Sequence, residues 1–158
     1  MPGEGEAGSR LDLTAAGIAI SPFDPPPGDG PENTGAVPNA VDGDPATAWD
    51  TERYDTSRFG GLKEGVGLLV DLGEPTAVEQ VEVGLRGGGD VELRAADEPG
   101  PDATSFRVVA QADDTDAVAR LVPGSPVTAR YFLIWMTRLP EVDDRFQGSI
   151  SELFFVRP

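Results

Sequence analysis

The segment NAVDGDPATAWDT (residues 39–51) places several oxygen donors close together, just ahead of a tryptophan. Asp42, Asp44 and the hydroxyl of Thr47 offer the hard oxygen ligands that calcium prefers. An EF-hand loop needs glycine at its sixth position and glutamate at its twelfth, whereas here glycine is second and Arg53 is twelfth. The segment therefore predicts either a calcium loop of another kind or a plain turn whose aspartates cap their own backbone.

Catalysis by these carboxylates is not expected. A catalytic acid pair needs one neutral carboxyl in an apolar pocket and one ionised partner, but Asp42 and Asp44 share a polar turn. The adjacent pairs at 113–114 and 143–144 would point to opposite faces of a strand or lie in a wet turn. The chain has no His and no Cys, which excludes Ser-His-Asp and Cys-His catalysis and the usual zinc ligands. We therefore expect a protein that is not an enzyme, in which any metal has oxygen ligands.

Length and charge limit the partners. The 158 residues suit one domain, and 20 Gly and 15 Pro favour short elements joined by many turns. With 12 basic and 28 acidic residues, the formal net charge of −16 repels phosphate backbones and anionic lipids, so no nucleic-acid partner is expected. No apolar run approaches the roughly 18 residues of a membrane span, and the acidic N-terminus lacks the basic start of a signal peptide. We expect no direct membrane insertion of this segment.

Hydrophobic alternation predicts an all-β fold. Residues 81–86 and 91–96 alternate between core-forming and mostly polar side chains, and the glycines at 87–89 suit a tight reversal that joins two antiparallel strands. The run YFLIWM at 131–136 predicts a central strand that is buried on both faces. A short first strand is expected within 14–23, ended by Pro22. Together with the other apolar runs, the pattern predicts a β-sandwich or jelly roll of roughly eight strands.

The predicted domain boundary lies near the N-terminus. Residues 1–12 are expected to be a flexible segment, because residues 1–10 lack apolar periodicity, and residues 13–158 are expected to form the domain. The stretch at 23–35 is rich in Pro, Gly and acidic residues, which predicts a surface loop.

Two motifs resemble a known family. The phrase AVDGDPATAW resembles the signature of discoidin-type, galactose-binding-like domains, roughly A-x-D-G-[DN]-x-x-T-x-W, and ISEL near the C-terminus resembles their I-x-E-L ending. The resemblance implies a discoidin-like jelly-roll β-sandwich in which both motifs meet around a structural calcium ion (Ca2+). It also implies that Trp49 is a core residue beside that site. The implied ligands, through carbonyl, carboxylate or hydroxyl oxygens, are Ala40, Asp42, Asp44, Thr47, Ser151 and Glu152.

A longer resemblance suggests a cellular context. Residues 42–76, with YFLIWMTRLP and ISELFF downstream, resemble the C-terminal extracytoplasmic domain of actinobacterial MviN-type (MurJ-type) lipid II flippase homologues. This implies a non-catalytic module outside the cytoplasmic membrane, tethered through a flippase-like parent protein of peptidoglycan synthesis. Its partner would be a cell-wall glycan, a peptidoglycan precursor or another protein. The alternatives are a true carbohydrate-binding module and the sensor ectodomain of a kinase-like membrane receptor.

The resemblance also directs attention to the loops at one end of the sandwich. Sugar-binding members present His, Arg, Asn and an exposed aromatic residue there, whereas this chain has no His and carries the insertion-like TERYDTSRFGGLKEG instead. This departure argues against galactose and predicts an apolar and cationic patch suited to a pyrophosphate, a muropeptide carboxylate or an acidic partner. The alternative is that the aromatic residues close the bottom of the sandwich and the lysine pairs with a surface acid. The predicted patch, with a second loop at 138–148, comprises Arg53, Tyr54, Arg58, Phe59, Lys63, Arg145 and Phe146.

Overall fold

The computed structural model describes residues 10–25, 33–44, 46–59 and 64–158. In these ranges, short 3-10 helices at Thr34–Ala40 and Ala103–Ser105 accompany the strands of an all-β fold. The strands are β1 Ala19–Phe23, β2 Trp49–Asp50, β3 Val66–Val78, β4 Gln80–Leu85, β5 Gly89–Ala96, β6 Arg107–Thr115, β7 Val118–Leu121, β8 Val127–Arg138, β9 Glu141–Val142, β10 Arg145–Phe146 and β11 Ser149–Val156.

Two antiparallel sheets form the sandwich. The larger sheet has the order β1-β3-β8-β5-β6, and the smaller has the order β2-β11-β4-β7. The two-residue strands β9 and β10 form a separate small hairpin. The predicted all-β jelly-roll sandwich is confirmed; the described residues form eleven strands where roughly eight were expected, because three of them are only two residues long. Among the described residues, no helix is long and apolar enough to cross a membrane.

The core lies between the sheets, and β8 shows why it forms. Phe132, Ile134 and Met136 enter the main core cluster, while Leu133 and Trp135 join a second cluster on the outer face of the larger sheet. All five residues are almost fully buried, because β8 lies between β3 and β5 and both of its faces are covered. The predicted central strand is therefore confirmed, and the alternation of apolar residues along β4 also points into the main core.

The glycine stretch at 87–89 does not form the predicted hairpin. Strand β4 pairs with β11 and β7 in one sheet, whereas β5 pairs with β8 and β6 in the other, so the glycines carry the chain between sheets. Gly88 has a φ of +81°, and a Cβ there would lie 1.9 Å from the carbonyl oxygen of Thr115. Glycine is needed here for a close crossing between sheets.

The N-terminal boundaries also differ from expectation. Pro22 lies inside β1, opposite Leu68, rather than ending a strand; β1 is an edge strand, where a missing N–H is tolerated. The N–H of Leu11 donates to the Phe155 carbonyl at 2.8 Å, and Arg10 forms a bridge with β11. Arg10 and Leu11, which lie in the segment expected to be flexible, thus pair with β11.

Several loops gather at one end of the sandwich, which we call the loop end. Strands β1, β4, β6 and β8 finish there, and β3, β5, β7 and β11 begin there. The described part of the loop end thus includes residues 51–59, 86–88, 116–117 and 139–148. Left-handed backbone at residues other than glycine is confined, in the described ranges, to Asn33, Phe59, Asp114, Asp143 and Asp144. All of these lie in or beside the loop end, and such conformations often mark functional sites.

Candidate functional site

An open groove lies where the 3-10 helix at 34–40 meets β2 and the loop before β11. It has a volume of about 390 Å³ and is lined by Asn33, Gly35, Ala36, Asp50 and Gln147. One carboxylate and two amides thus surround a small apolar floor. That combination suits a small polar ligand with a modest apolar face.

Hydrogen bonds hold the polar side chains of the groove. The hydroxyl of Ser149 donates to Asp50 Oδ1 at 2.5 Å, across the paired strands β11 and β2. The amide nitrogen of Asn33 donates to the backbone oxygen of Asp50 at 2.6 Å. The amide nitrogen of Gln147 donates to the backbone oxygen of Thr51 at 2.8 Å. The groove is therefore organised before any ligand arrives.

Thr51 forms the support beneath this groove. Its side chain is fully buried, and its hydroxyl donates to the Glu52 carbonyl at 2.7 Å while accepting the N–H of Gly148 at 3.0 Å. Its own N–H donates to the Gly148 carbonyl at 2.9 Å. These bonds join the chain after β2 to the loop before β11, so the two walls of the groove are fixed relative to each other.

The aromatic half of the predicted patch lies in the core. Tyr54 is 6% exposed and Phe59 is 0% exposed, and their rings meet edge to face at 5.0 Å. Neither ring is available to a ligand, which corrects the expected apolar patch and matches the alternative that they close the sandwich. Phe146 is partly buried and packs against the same core. Its N–H and carbonyl pair with those of Tyr54 at 2.9 and 2.8 Å, so the two predicted loops do meet.

The cationic half of the patch is at the surface but engaged with acids. Arg145 contacts Asp55 at 3.2 Å and donates to the carbonyl of Arg53 at 3.2 Å, while Arg53 lies 3.9 Å from Asp143. An anionic ligand would have to compete with these carboxylates. Lys63 lies outside the described residues.

Arg58 belongs to a separate ion network centred on Asp90. Asp90 is nearly buried and contacts Arg58 at 3.4 Å and Arg138 at 3.0 Å, and it accepts the N–H of Asp114 at 2.7 Å. Burial alone would raise the pKa of Asp90, but Arg138, the Asp114 N–H and Arg58 together hold it below its ordinary value. Arg58 also donates to the Thr137 carbonyl at 3.2 Å. The predicted ligand residue Arg58 thus ties the 51–59 loop to β8 and β5.

The aspartate segment forms a tight turn. Asp42 accepts the N–H of Asp44 at 2.9 Å and the hydroxyl of Thr47, and Asp44 accepts the N–H of Ala46 at 2.9 Å. The Thr47 hydroxyl and the Asp44 N–H lower the pKa of Asp42, so its carboxylate is charged at neutral pH. These contacts are those of a self-capped turn, and they also collect carboxylate and carbonyl oxygens at one place.

Glu152 is the residue that a plain turn does not explain. Its Oε2 is buried and, within the described part of the chain, has no hydrogen-bond partner. Burial raises the pKa of Glu152, and the negative charges of Asp42 and Asp44 raise it further, while Arg10 lowers it. An unpaired buried carboxylate oxygen is costly unless a proton or a cation neutralises it. Val41 and Gly43 line the same cavity as Glu152 and Leu153, so residues of the two motifs lie beside one another.

Two implied cation ligands remain, Ala40 and Ser151, and Ser151 directly precedes Glu152 in β11. Ala40 is fully buried at the end of the first 3-10 helix, and Ser151 is nearly buried at a bulge in β11. A cavity of about 130 Å³, bordered by residues 11–14, adjoins Glu152 and Gly43. Among the described residues, no three acidic side chains form a ready-made metal cluster, so carbonyl and hydroxyl oxygens would have to supply much of the coordination. With that condition, the donor set fits a hard cation.

The residues that line the groove were not among those predicted from the sequence. Asn33 lies in a stretch assigned to a surface loop, Asp50 follows the core tryptophan, and Gln147 belongs to a turn sequence. Their separations along the chain hide their contact, which depends on β2 pairing with β11. The sequence feature that could have indicated the groove is the position of Asp50 directly after Trp49 of the motif.

Solved structures share this fold. The chain matches a GH29 fucosidase from Ruminococcus gnavus in complex with fucose, with a TM-score of 0.64 and 19% identity, covering 93% of this chain and 26% of that chain. It matches the family 32 carbohydrate-binding module of C. perfringens NanJ in complex with galactose, with a TM-score of 0.62 and 19% identity, covering 94% and 98%.

A third match is chitosan-binding module 2 of the chitosanase/glucanase from Paenibacillus sp. IK-5 in complex with chitotriose, with a TM-score of 0.64 and 15% identity, covering 90% and 97%. No protein-family model matches the sequence. These identities are low, so the likeness bears on the fold. The chain has the discoidin-like, galactose-binding-like jelly-roll fold found in family 32 carbohydrate-binding modules.

Proposed function

We propose that this chain is a non-catalytic carbohydrate-binding module that holds a glycan in the groove beside Asp50. The observation that carries the proposal is the groove itself, in which Asn33, Asp50 and Gln147 are fixed by hydrogen bonds of 2.5 to 2.8 Å. Carboxylate and amide groups bind sugar hydroxyls, and the apolar surface at Gly35 and Ala36 suits a sugar C–H face. Carbohydrate-binding modules of the same fold, which this chain matches over nearly their whole length, hold galactose and chitotriose, which supports a sugar as the class of ligand.

The surface of the module predicts modest affinity. None of the five residues that line the groove is aromatic, so it lacks a ring on which a sugar would stack. Binding then depends on hydrogen bonds that replace contacts with water, and each contributes only about 0.5–1.5 kcal/mol net. Modules of this strength act best where several copies meet a repeating ligand, such as a wall polymer.

A structural calcium ion is part of the same proposal. It would be held by Asp42, Thr47 and Glu152 with carbonyl oxygens of Ala40, Asp44 and Ser151, linking the turn before β2 to β11. The unpaired buried oxygen of Glu152 supports this assignment. The ion would neutralise the carboxylates and stabilise the side of the sandwich, and it would take no part in chemistry on the glycan.

Affinity retention tests the proposed glycan site. The wild-type chain is passed over immobilised peptidoglycan and over a panel of neutral and charged oligosaccharides, alongside Gln147→Ala and the matched variant Gln111→Ala. Gln111 is exposed on β6, at the edge of the larger sheet opposite β1. We expect retention of at least one glycan, lost in Gln147→Ala and kept in Gln111→Ala. No retention of any glycan, or equal loss in both variants, contradicts the proposal.

The parent protein is a separate proposal. The MviN-type resemblance supports a position outside the cytoplasmic membrane as part of a flippase-like protein, with a kinase-like receptor as the alternative. The two differ in the chain to which the module is attached, because a flippase has many roughly 20-residue apolar spans and such a receptor has one. Sequencing the full coding region decides between them, and a coding region without such spans contradicts both.

A further inference from the structure

Asp50 supplies the negative charge of the groove, and one of its carboxylate oxygens can still accept a hydrogen bond from a ligand. Asp50 is the one titratable residue among the five that line it. Its Oδ1 accepts the Ser149 hydroxyl, while within the described part of the chain no donor contacts its Oδ2. A half-buried carboxylate with one oxygen unused is a strong acceptor, and its bonds to charged donors are the stronger kind.

The two amides of the groove add to this preference for donors. Asn33 turns its nitrogen to the backbone oxygen of Asp50, and Gln147 turns its nitrogen to that of Thr51. An amide whose nitrogen is held by the protein leaves its oxygen as the group best placed for a ligand. The groove therefore offers chiefly acceptors and favours a ligand with an excess of donors.

The charges around the groove also favour a ligand that donates hydrogen bonds, and in particular one with a positive charge. None of its five lining residues is basic, and the nearby guanidinium of Arg145 is held by Asp55. The chain as a whole carries a formal charge of −16, which attracts cations and repels anionic sugars. A free ammonium group brings three donors and a positive charge, which complements this arrangement.

We propose that the groove binds an amino sugar with a free, protonated amine, through an ammonium–carboxylate contact with Asp50. This inference rests on the proposed glycan site and specifies its ligand class. It predicts that acetylation of the amine weakens binding, because the amide that results has no charge and a single N–H. Anionic sugars are expected to bind most weakly of all.

Isothermal titration calorimetry tests this with a glucosamine trisaccharide, its fully N-acetylated counterpart and galactose, at a pH where the amine is protonated. We expect wild type to bind the glucosamine trisaccharide roughly tenfold or more tightly than the acetylated form, the size of effect that a charged hydrogen bond gives. Asp50→Asn, which can still accept from Ser149, is expected to lose that difference. Asp144→Asn makes the same change of charge on an exposed residue of the loop end and is expected to keep it.

A second pair of variants leaves Asp50 untouched. A Cβ at Gly35 meets no atom within 4 Å, so Gly35→Lys and Gly35→Gln are expected to fold. The lysine places a competing cation in the groove and is expected to weaken binding of the glucosamine trisaccharide roughly tenfold more than the glutamine does. Equal affinity for the two trisaccharides, or equal effects of Asp50→Asn and Asp144→Asn, overturns the amine inference while glycan retention stands. Absence of binding to every glycan overturns both proposals.

Discussion

Glu152 is the residue that most directly reports whether a cation belongs to this fold. Its raised pKa means that the folded state disfavours the ionised form, so at neutral pH the charge on Glu152 opposes folding, and the opposition disappears as the pH falls through the folded-state pKa. Replacing it with glutamine removes the charge and its repulsion from Asp42 and Asp44. Without divalent ions we expect Glu152→Gln to raise the unfolding temperature at neutral pH by about 2–4 °C, the shift that ~1 kcal/mol gives in a chain of this size.

Calcium should reverse the order of the unfolding temperatures, so that wild type becomes more stable than Glu152→Gln. A ligand that binds only the native state stabilises by an amount that grows with its concentration, about 2.7 kcal/mol at one hundred times the dissociation constant. We expect wild type to gain this stabilisation and Glu152→Gln to gain little, as measured by calorimetric unfolding with calcium and with chelator. Glu98→Gln removes an exposed acid and serves as the control. If calcium stabilises wild type and Glu152→Gln equally, Glu152 is not a ligand.

Residue type alone does not reveal whether a side chain lies in the core or at the surface. Tyr54 and Phe59 looked equally suited to a binding patch or to a core plug, and only the pairing of Tyr54 with Phe146 places them inside. The conjunction of the DGDPAT turn with ISEL was more informative, because two distant motifs were compared with one known arrangement. Asp50 gave little signal, since its role depends on Asn33 and Gln147, which are distant in sequence.

At the scale of elements, Asp90 joins the loops that border the loop end. It links the N-terminal end of β5 to Arg138 at the end of β8, to Arg58 in the 51–59 loop and to the N–H of Asp114 in β6. Asp90→Asn removes the charge from a nearly buried site but leaves two arginines beside it. We expect a loss of about 1–3 kcal/mol in the free energy of unfolding at neutral pH, below the 3–5 kcal/mol of a fully buried pair because Arg58 is well exposed.

The effect should depend on pH in a defined direction. Because the folded-state pKa of Asp90 is depressed, its contribution is fully present above the unfolded pKa of about 3.9 and is lost as the pH falls through the folded-state value. Urea unfolding of wild type and Asp90→Asn should therefore differ at neutral pH and converge in strong acid. Asp113→Asn, an exposed acid on β6, should match wild type throughout. A difference between wild type and Asp90→Asn that persists in strong acid would show that the ion network is not its source.

Elements differed in how well the sequence predicted them. Strand β8 was predictable because its run of large apolar residues can be buried only where both faces of the strand are covered. The strands on either side of the glycines at 87–89 were also predictable, but their partners were not. Alternation fixes which face of a strand is buried, and it is the same whether two strands pair within one sheet or face each other across a core. Sheet assignment is decided by long-range pairing, which local pattern does not contain.

At the scale of the whole molecule, the formal charge of −16 opposes the compact state. Like charges are held closer together in the folded chain than in the unfolded one, and dissolved salt screens them over a Debye length of about 10 Å at 0.1 M. We expect sodium chloride, raised from low concentration to roughly 0.15 M, to increase the unfolding temperature by a few degrees. The Asp90 and Asp71 pairs with arginine are attractive and oppose this trend, but they are few against the excess of acids.

General screening and a specific cation site predict different responses, which lets one titration separate them. Screening depends on ionic strength and should be reproduced by any salt and saturate once the Debye length is short. A site built around Glu152 should add a further rise with calcium at constant ionic strength, and a smaller one with magnesium, which tolerates fewer protein ligands and keeps its own water. Calorimetric unfolding in matched sodium, magnesium and calcium chlorides measures both effects on one protein. Identical curves in the three salts would leave net charge as the whole explanation and remove the calcium ion from the proposed function.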